Sequence, residues 1–281
     1  MQDAAIDRVA PCWDSHVHVF DAQAAVAGGH YRPAHRPLAD IEKLARINGF
    51  GHLVLVQPSV YGTDNSVLLD ALDAGQGRHR GVVVLPPSVD DATLAAMHAL
   101  GVRGVRFNLV SPVGDSLAPG DAREGQSALD SFRALAPRLR ELDWHVQWHA
   151  SPHDLPAIAA LHEGSPVPAV LDHLAGMHPG VPAGHPAWQA LEQLAAQGAW
   201  VKLSGWYRLG AAAPYEALDA TLLKVAGLFG RHLVWGSDWP HTAFTPDALP
   251  AYASTWEPVV RALTPAQKQD AWEQAPAALY A

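Results

Sequence analysis

The chain has 281 residues, enough to bury a large core either as two small domains or as one α/β barrel. Hydrophobic residues make up 49% and charged residues 17%, which is typical of a folded globular protein and excludes a disordered or fibrous one. The formal net charge of −9 argues against a nucleic-acid partner, because such binding draws on clustered Lys and Arg.

Cysteine usage and the lack of apolar segments predict a cytoplasmic protein without membrane contact. Cys12 is the only cysteine, so it cannot form an intrachain disulfide and is expected to be a small core residue. No apolar run approaches the roughly 20 residues that span a bilayer. The N-terminus also lacks the basic and then apolar segments of a signal peptide.

Short apolar runs alternate along the chain with segments of helical spacing, as in a parallel sheet with crossover helices. Eight runs predict strands, at residues 12–17, 53–57, 81–85, 104–107, 145–148, 169–171, 200–203 and 233–235. Eight evenly spaced units favour a closed (β/α)8 TIM barrel over an open doubly wound sheet. No phosphate-binding glycine motif is present, and no linker divides the chain, so a single domain over residues 1–281 is expected.

The stretches that follow the predicted strands are longer than those that precede them. Residues 21–37 and 110–125 are the longest examples. In a (β/α)8 barrel the loops at the carboxyl ends of the strands carry the active site, so these two stretches are expected to determine the substrate.

Polar residues end several of the predicted strands. His16 and His18 are two residues apart on the first strand, so their side chains point to the same side. Taken alone, such a pair is as often packed or exposed as functional. His149, His173 and Asp238 follow the fifth, sixth and eighth strands. A closed barrel would bring all five groups to one rim.

Six segments, taken in order, resemble the amidohydrolase superfamily (amidohydrolase-related family 2), and within it the 2-pyrone-4,6-dicarboxylate lactonase-like group. They are residues 14–20, 57–65, 101–108, 171–173, 201–208 and 236–241, of which the last, Gly-Ser-Asp-Trp-Pro-His, is the most specific. The resemblance implies a (β/α)8 hydrolase that opens a lactone ring. Asp238 would be the general base that activates water. His16, His18 and His173 would hold the carbonyl oxygen as its negative charge grows.

The resemblance also implies a pocket for a carboxylated lactone. Its predicted substrate-binding residues are Tyr31, Ser59, Tyr61, Arg106, His149 and Arg208. Arginine suits a carboxylate because its planar fork gives two parallel hydrogen bonds, although either arginine could instead form an internal ion pair. The family pattern has a further arginine where this chain reads Leu109-Val-Ser-Pro-Val-Gly. The substrate is therefore expected to carry fewer carboxylates than the group's namesake, or to be a sugar lactone.

The sequence does not decide whether the site holds a metal. Asn108 ends the fourth strand where binuclear relatives have a bridging lysine, so a binuclear site is not expected. His16, His18, His149 and Asp238 would suit one Zn2+. The lactonase-like group works without a metal, and this alternative is slightly favoured. Two other functions were considered: a zinc-dependent decarboxylase or carbon–carbon hydrolase with His173 as base, and a non-catalytic barrel that binds a small acid.

Overall fold

The structure is a computed structural model that describes residues 10–27, 32–110, 122–242, 244 and 248–281. Side chains of residues 122–126 are not described. Tyr31, predicted to bind substrate, and most of the predicted loop 110–125 lie outside the described residues.

Eight parallel strands form one sheet in the order of the chain. They are β1 (Cys12–Val17), β2 (Phe50–Val56), β3 (Arg80–Val83), β4 (Val102–Asn108), β5 (His145–His149), β6 (Ala169–Leu171), β7 (Trp200–Leu203) and β8 (Leu233–Trp235). Each predicted strand is present, and β1, β6, β7 and β8 have the predicted bounds. The other strands differ at their ends by one to three residues.

The first strand and the segment after the last strand close the barrel. Val17 pairs with Trp239 in a parallel bridge, and the amide of His18 donates to the carbonyl of Trp239 at 2.8 Å. The amide of Asp238 donates to the carbonyl of His16 at the same distance. The predicted (β/α)8 barrel is therefore confirmed, and its closure places Asp238 beside the histidines of β1.

Helices follow the strands and cover the outside of the barrel. They are α1 (Leu38–Ile47), α2 (Ser66–Ala74), α3 (Asp91–Ala99), α4 (Ala122–Glu141), α5 (Leu155–His162), α6 (Pro186–Ala196), α7 (Asp219–Phe229), α8 (Glu257–Ala262), α9 (Pro265–Gln269) and α10 (Ala275–Tyr280). Helix α3 begins where the Asp90 side chain accepts from the amide of Thr93 at 2.7 Å, an ordinary N-cap. Within the described ranges, no helix has both the length and the apolar character of a membrane span.

The two faces of the strands carry different kinds of buried side chain. On β5, Val146 and Trp148 face the helices, where Trp148 stacks on Phe107. The alternate residue Gln147 is fully buried and points to the barrel interior, where it meets Lys202 of β7. The interior of the barrel below the site thus contains buried polar side chains that hydrogen-bond to one another.

Candidate active site

A cavity of about 450 Å³ opens at the carboxyl ends of the strands. This is the end at which barrel enzymes place their sites. Of the predicted residues, the cavity is lined by His18, Ser59, Arg106, His149, His173 and Arg208. The strand ends therefore converge as the sequence pattern predicted.

Asp238 is buried behind the cavity wall, in contact with His18, Tyr207 and Arg208, which line the cavity. Its Oδ1 is 3.2 Å from Nε2 of His18 and 3.6 Å from Nε2 of His16. Nε2 of His173 is 4.0 Å from the same oxygen. One carboxylate oxygen from the segment after β8 thus faces three imidazole nitrogens, two of which come from the end of β1 and the residue after it.

The other oxygen of Asp238 is held by two donors. The Tyr207 hydroxyl donates to Oδ2 at 2.6 Å, and Nε of Arg208 donates to it at 2.9 Å. Burial alone would raise the pKa of Asp238, but the Arg208 guanidinium and His173 outweigh it and hold that pKa well below its usual range. The carboxylate is therefore ionised at neutral pH, and Oδ1 is the oxygen turned toward the histidines.

Backbone and side-chain partners orient two of the histidines. Nδ1 of His18 donates to the carbonyl of Val56 at 2.8 Å, because a carbonyl can only accept. Nδ1 of His173 is hydrogen-bonded to the Ser204 hydroxyl at 3.0 Å. Burial lowers the pKa of His173 to about 4, so its ring is neutral at pH 7. Both rings thus present Nε2 to Asp238.

His16 lies deeper, against a second buried carboxylate. Its Nδ1 is 3.3 Å from Oδ1 of Asp172 and 3.4 Å from Nζ of Lys202. Burial lowers the pKa of His16 well below its usual value. No sequence pattern predicted a role for Asp172 or Lys202. A lysine within the apolar strand Trp200–Leu203 was the signal for the second of them.

Both predicted arginines form internal ion pairs on the cavity wall. Nε of Arg106 donates to Oδ2 of Asp172 at 3.0 Å. Arg208 binds Asp238 and also donates from Nη2 to the Thr242 hydroxyl at 3.3 Å. From the sequence, each arginine could either bind a substrate carboxylate or form an internal ion pair. The structure shows the ion pair for both and also places both beside the cavity.

The remaining predicted binding residues differ in their positions. Ser59 lies on the cavity wall. His149 lies there too, with its ring 5.0 Å from that of His173, and its Nδ1 has no hydrogen-bond partner among the described residues. The structure does not bring Tyr61 into the cavity. Its hydroxyl donates to the carbonyl of Asp21 at 2.9 Å and accepts from the Asp21 amide, so it anchors the loop after β1.

Part of the predicted zinc set is brought together. Nitrogen and oxygen atoms of His16, His18 and Asp238 lie within 4.8 Å of one another. Such an N2O set leaves room for a water, as in catalytic zinc sites, and the donation from His18 to a carbonyl is typical of a metal-bound histidine. These three residues fit one divalent cation. His149, the predicted fourth ligand, belongs to no such group among the described residues, so that part of the prediction is not supported.

A closed (β/α)8 barrel that brings histidines at the end of β1 and a carboxylate after β8 together has the arrangement expected of a barrel hydrolase. The amidohydrolase family model matches residues 13–281, so this chain belongs to the amidohydrolase family.

Two characterised relatives and one crystal structure show what the chain is similar to. The 4-sulfomuconolactone hydrolase of Rhizobium radiobacter is 30% identical over 246 residues, 85% of this chain and 79% of the relative. The 2-pyrone-4,6-dicarboxylate hydrolase of Comamonas testosteroni is 29% identical over 242 residues, 81% of this chain and 76% of the relative. A Burkholderia multivorans amidohydrolase crystallised with bound zinc has a TM-score of 0.72 at 24% identity, covering 96% of this chain and 98% of that one. This last likeness supports the fold.

Proposed function

We propose that this protein opens the lactone ring of a small carboxylated substrate by attack of water, with Asp238 as the general base. The observation that carries this proposal is the single oxygen, Oδ1 of Asp238, that faces the Nε2 atoms of His16, His18 and His173 within 4.0 Å. The two relatives named as lactone hydrolases support a cyclic ester as the substrate.

The proposed reaction uses one proton and returns it. Oδ1 of Asp238 takes a proton from water while the water oxygen attacks the lactone carbonyl carbon. The histidines donate to the oxygen that becomes negative, and one preorganised donor of this kind contributes about 3 to 4 kcal/mol. When the ring C–O bond breaks, the leaving oxygen takes the proton back from Asp238. Lactone and water thus give a hydroxy acid or its keto form.

The cavity suits a small anion. Its volume of about 450 Å³ lies in the range of small-molecule sites. Arg106 and Arg208 place two guanidinium groups on its wall, each with an internal carboxylate as one partner. The names of the two lactone hydrolases describe a sulfonated and a dicarboxylated substrate, which supports an anionic lactone here.

A zinc-dependent decarboxylase or carbon–carbon hydrolase is the second candidate, favoured by the fit of His16, His18 and Asp238 to one cation. The Burkholderia neighbour binds zinc. A bound Zn2+ would polarise the substrate carbonyl or lower the pKa of a water, and His173 would then act as base. Against this, the Arg208 guanidinium already compensates the charge of Asp238 at 2.9 Å. We therefore place hydrolysis by histidine donors first.

One experiment separates these candidates. Pyrone, muconate-derived and sugar-acid lactones are offered to the wild type, to Asp238→Asn and to Asp219→Asn, each freed of metal and then given Zn2+. Asp219→Asn is the matched control. Asp219, at the start of α7, forms an ion pair with Arg261 of α8 and does not line the cavity. We expect turnover by the metal-free wild type, a loss of about 10² to 10⁴-fold in Asp238→Asn, and no change in the control.

Three results would decide against the first candidate. Full turnover by Asp238→Asn would show that Asp238 is not the general base. Turnover that appears only with Zn2+ would overturn the metal-free reaction. Decarboxylation with Zn2+ and no hydrolysis of any lactone would establish the second candidate instead.

A further inference from the structure

Lys202 is fully buried, and its Nζ has two hydrogen-bond acceptors and one histidine nitrogen around it. Nζ donates to the carbonyl of Ser15 at 2.9 Å and to Oε1 of Gln147 at 2.7 Å. Its third neighbour is Nδ1 of His16 at 3.4 Å. Oδ1 of the Asp172 carboxylate lies 3.8 Å from Nζ, and this buried ion pair favours the ammonium form.

An ammonium group can only donate, so Nδ1 of His16 must accept and the ring proton must lie on Nε2. Asp172 is the competing partner of Nδ1, at 3.3 Å through its Oδ1. That contact lacks hydrogen-bond alignment, since Oδ1 of Asp172 accepts no hydrogen bond from the described residues. The Asp172 charge is already compensated at Oδ2, by Nε of Arg106 at 3.0 Å and Nε2 of Gln147 at 2.9 Å.

We propose that Lys202 is a positioning residue that holds His16 as the Nε2–H tautomer, so that His16 meets the reacting oxygen as a donor and not as a metal ligand. Nε2 of His16 has no hydrogen-bond partner among the described residues and lies 3.6 Å from Oδ1 of Asp238. Its N–H is thus not taken up by another of these residues, and the neighbouring rings of His18 and His173 line the cavity. A cation at His16 and His18 would need the lone pair of the same nitrogen. Lys202 therefore works against a metal at this group.

Removal of the ammonium group should reverse this preference. With methionine at position 202, Asp172 becomes the partner of Nδ1, and the ring proton moves there. A carboxylate that accepts from one ring nitrogen while the other binds metal is the usual arrangement at zinc sites. Only the consequence for catalysis depends on the proposed lactone hydrolysis; the position of the proton does not.

The test is ¹⁵N NMR of protein labelled at its histidines, without substrate, at neutral pH. The wild type is compared with Lys202→Met and with Lys224→Met, and His16→Gln identifies the His16 signals among those of 16 histidines. Lys224 is the matched control, because it lies exposed on α7 over the Trp188 ring. We expect the proton on Nε2 in the wild type and the control, and on Nδ1 in Lys202→Met.

A wild-type His16 protonated at Nδ1 would overturn the proposal, and this result requires no variant to fold. Persistence of the Nε2 proton in Lys202→Met would overturn it as well. Zn2+ binding, measured by calorimetry on the same proteins, should be about tenfold tighter in Lys202→Met than in the control. Equal Zn2+ affinities in Lys202→Met and the control would show that Lys202 does not disfavour a cation at His16. Since none of these measurements needs turnover, they remain decisive even when no lactone is hydrolysed.

Discussion

Tyr207 donates one short hydrogen bond to Oδ2 of Asp238, at 2.6 Å, beside the guanidinium of Arg208. Its hydroxyl favours the ionised carboxylate, so Tyr207→Phe should raise the pKa of Asp238 from its depressed value. A hydrogen bond to a charged group contributes about 1.5 to 3 kcal/mol, which corresponds to roughly one to two pH units. A base of lowered pKa loses activity only as the pH falls through that pKa. The acid limb of kcat/KM should therefore begin below the ordinary carboxylate range and move to higher pH in Tyr207→Phe.

Tyr280→Phe is the matched control for this profile. Tyr280 is buried in α10, and its hydroxyl has no hydrogen-bond partner among the described residues. Its loss should leave the acid limb in place. An acid limb of Tyr207→Phe that coincides with that of the wild type would show that this hydroxyl does not govern Asp238.

The sequence predicted some of these residues and not others for a physical reason. Asp238, His16 and His173 stand at strand ends, so the topology of a barrel alone predicts that they meet. Tyr207 and Lys202 offer no such signal, because their roles depend on side-chain direction and on partners about 30 and 186 residues away. The tautomer of His16 that Lys202 favours depends on distances between side chains, and a sequence motif gives no distances.

At the scale of the elements, the strand ends carry an unusual backbone. His173 and Asp238 have φ angles of 49° and 59°, in the left-handed region that non-glycine residues rarely occupy. Apolar character predicted the bounds of β6 and β8, whereas a histidine or an aspartate permits a positive φ more often than most residues but does not require one. The bend at each strand end turns the side chain into the cavity, and such strain is common where function requires it.

Gly205, just after β7, keeps His173 in position. Its φ is +62°, and an added Cβ would meet the His173 ring closer than any real contact. Gly205→Ala should therefore push the ring away from its bond to Ser204 and lower turnover at least tenfold. Gly210→Ala is the control, with a φ of +73° and no atom within 4 Å of the added Cβ. The backbone cost of about 1 kcal/mol should appear in the thermal stability of both variants. Equal turnover in the two would disprove the contact's importance.

At the scale of the whole molecule, the repeat of strand and helix patterns was enough to predict closure. Eight runs of similar spacing need no further information to form a ring, and the bridge between Val17 and Trp239 completes it. The polar interior was less predictable, because residues such as Gln147 and Lys202 resemble interruptions in apolar strands. Only a closed barrel gives them partners.

The buried histidines predict how this molecule responds to acid. Burial lowers the pKa of His145 to about 3 and those of His162, His173 and His241 to about 4, from 6.5. Below pH 6.5 these histidines are protonated in the unfolded chain but remain neutral in the folded chain. The free energy of unfolding therefore decreases as the pH falls toward 4. Asp14 opposes this, because burial raises its pKa to about 6 and the folded state then binds one extra proton between about pH 4 and 6. His16 and His149, whose pKa values burial also lowers, act in the same direction, so the net difference is at least three protons, or at least about 4 kcal/mol per pH unit.

Urea unfolding between about pH 7 and pH 5 measures this slope. His162→Gln tests the assignment. Nε2 of His162 accepts from Nε1 of Trp148 at 2.9 Å, a bond that glutamine can replace without taking up a proton. The slope should fall by about 1.4 kcal/mol per pH unit, one proton's share. The exposed His153→Gln should leave it unchanged, since water surrounds that ring in both states. A free energy of unfolding that stays level over this range would mean that the buried rings accept protons without unfolding, and the histidines around Asp238 would then be charged donors at acid pH.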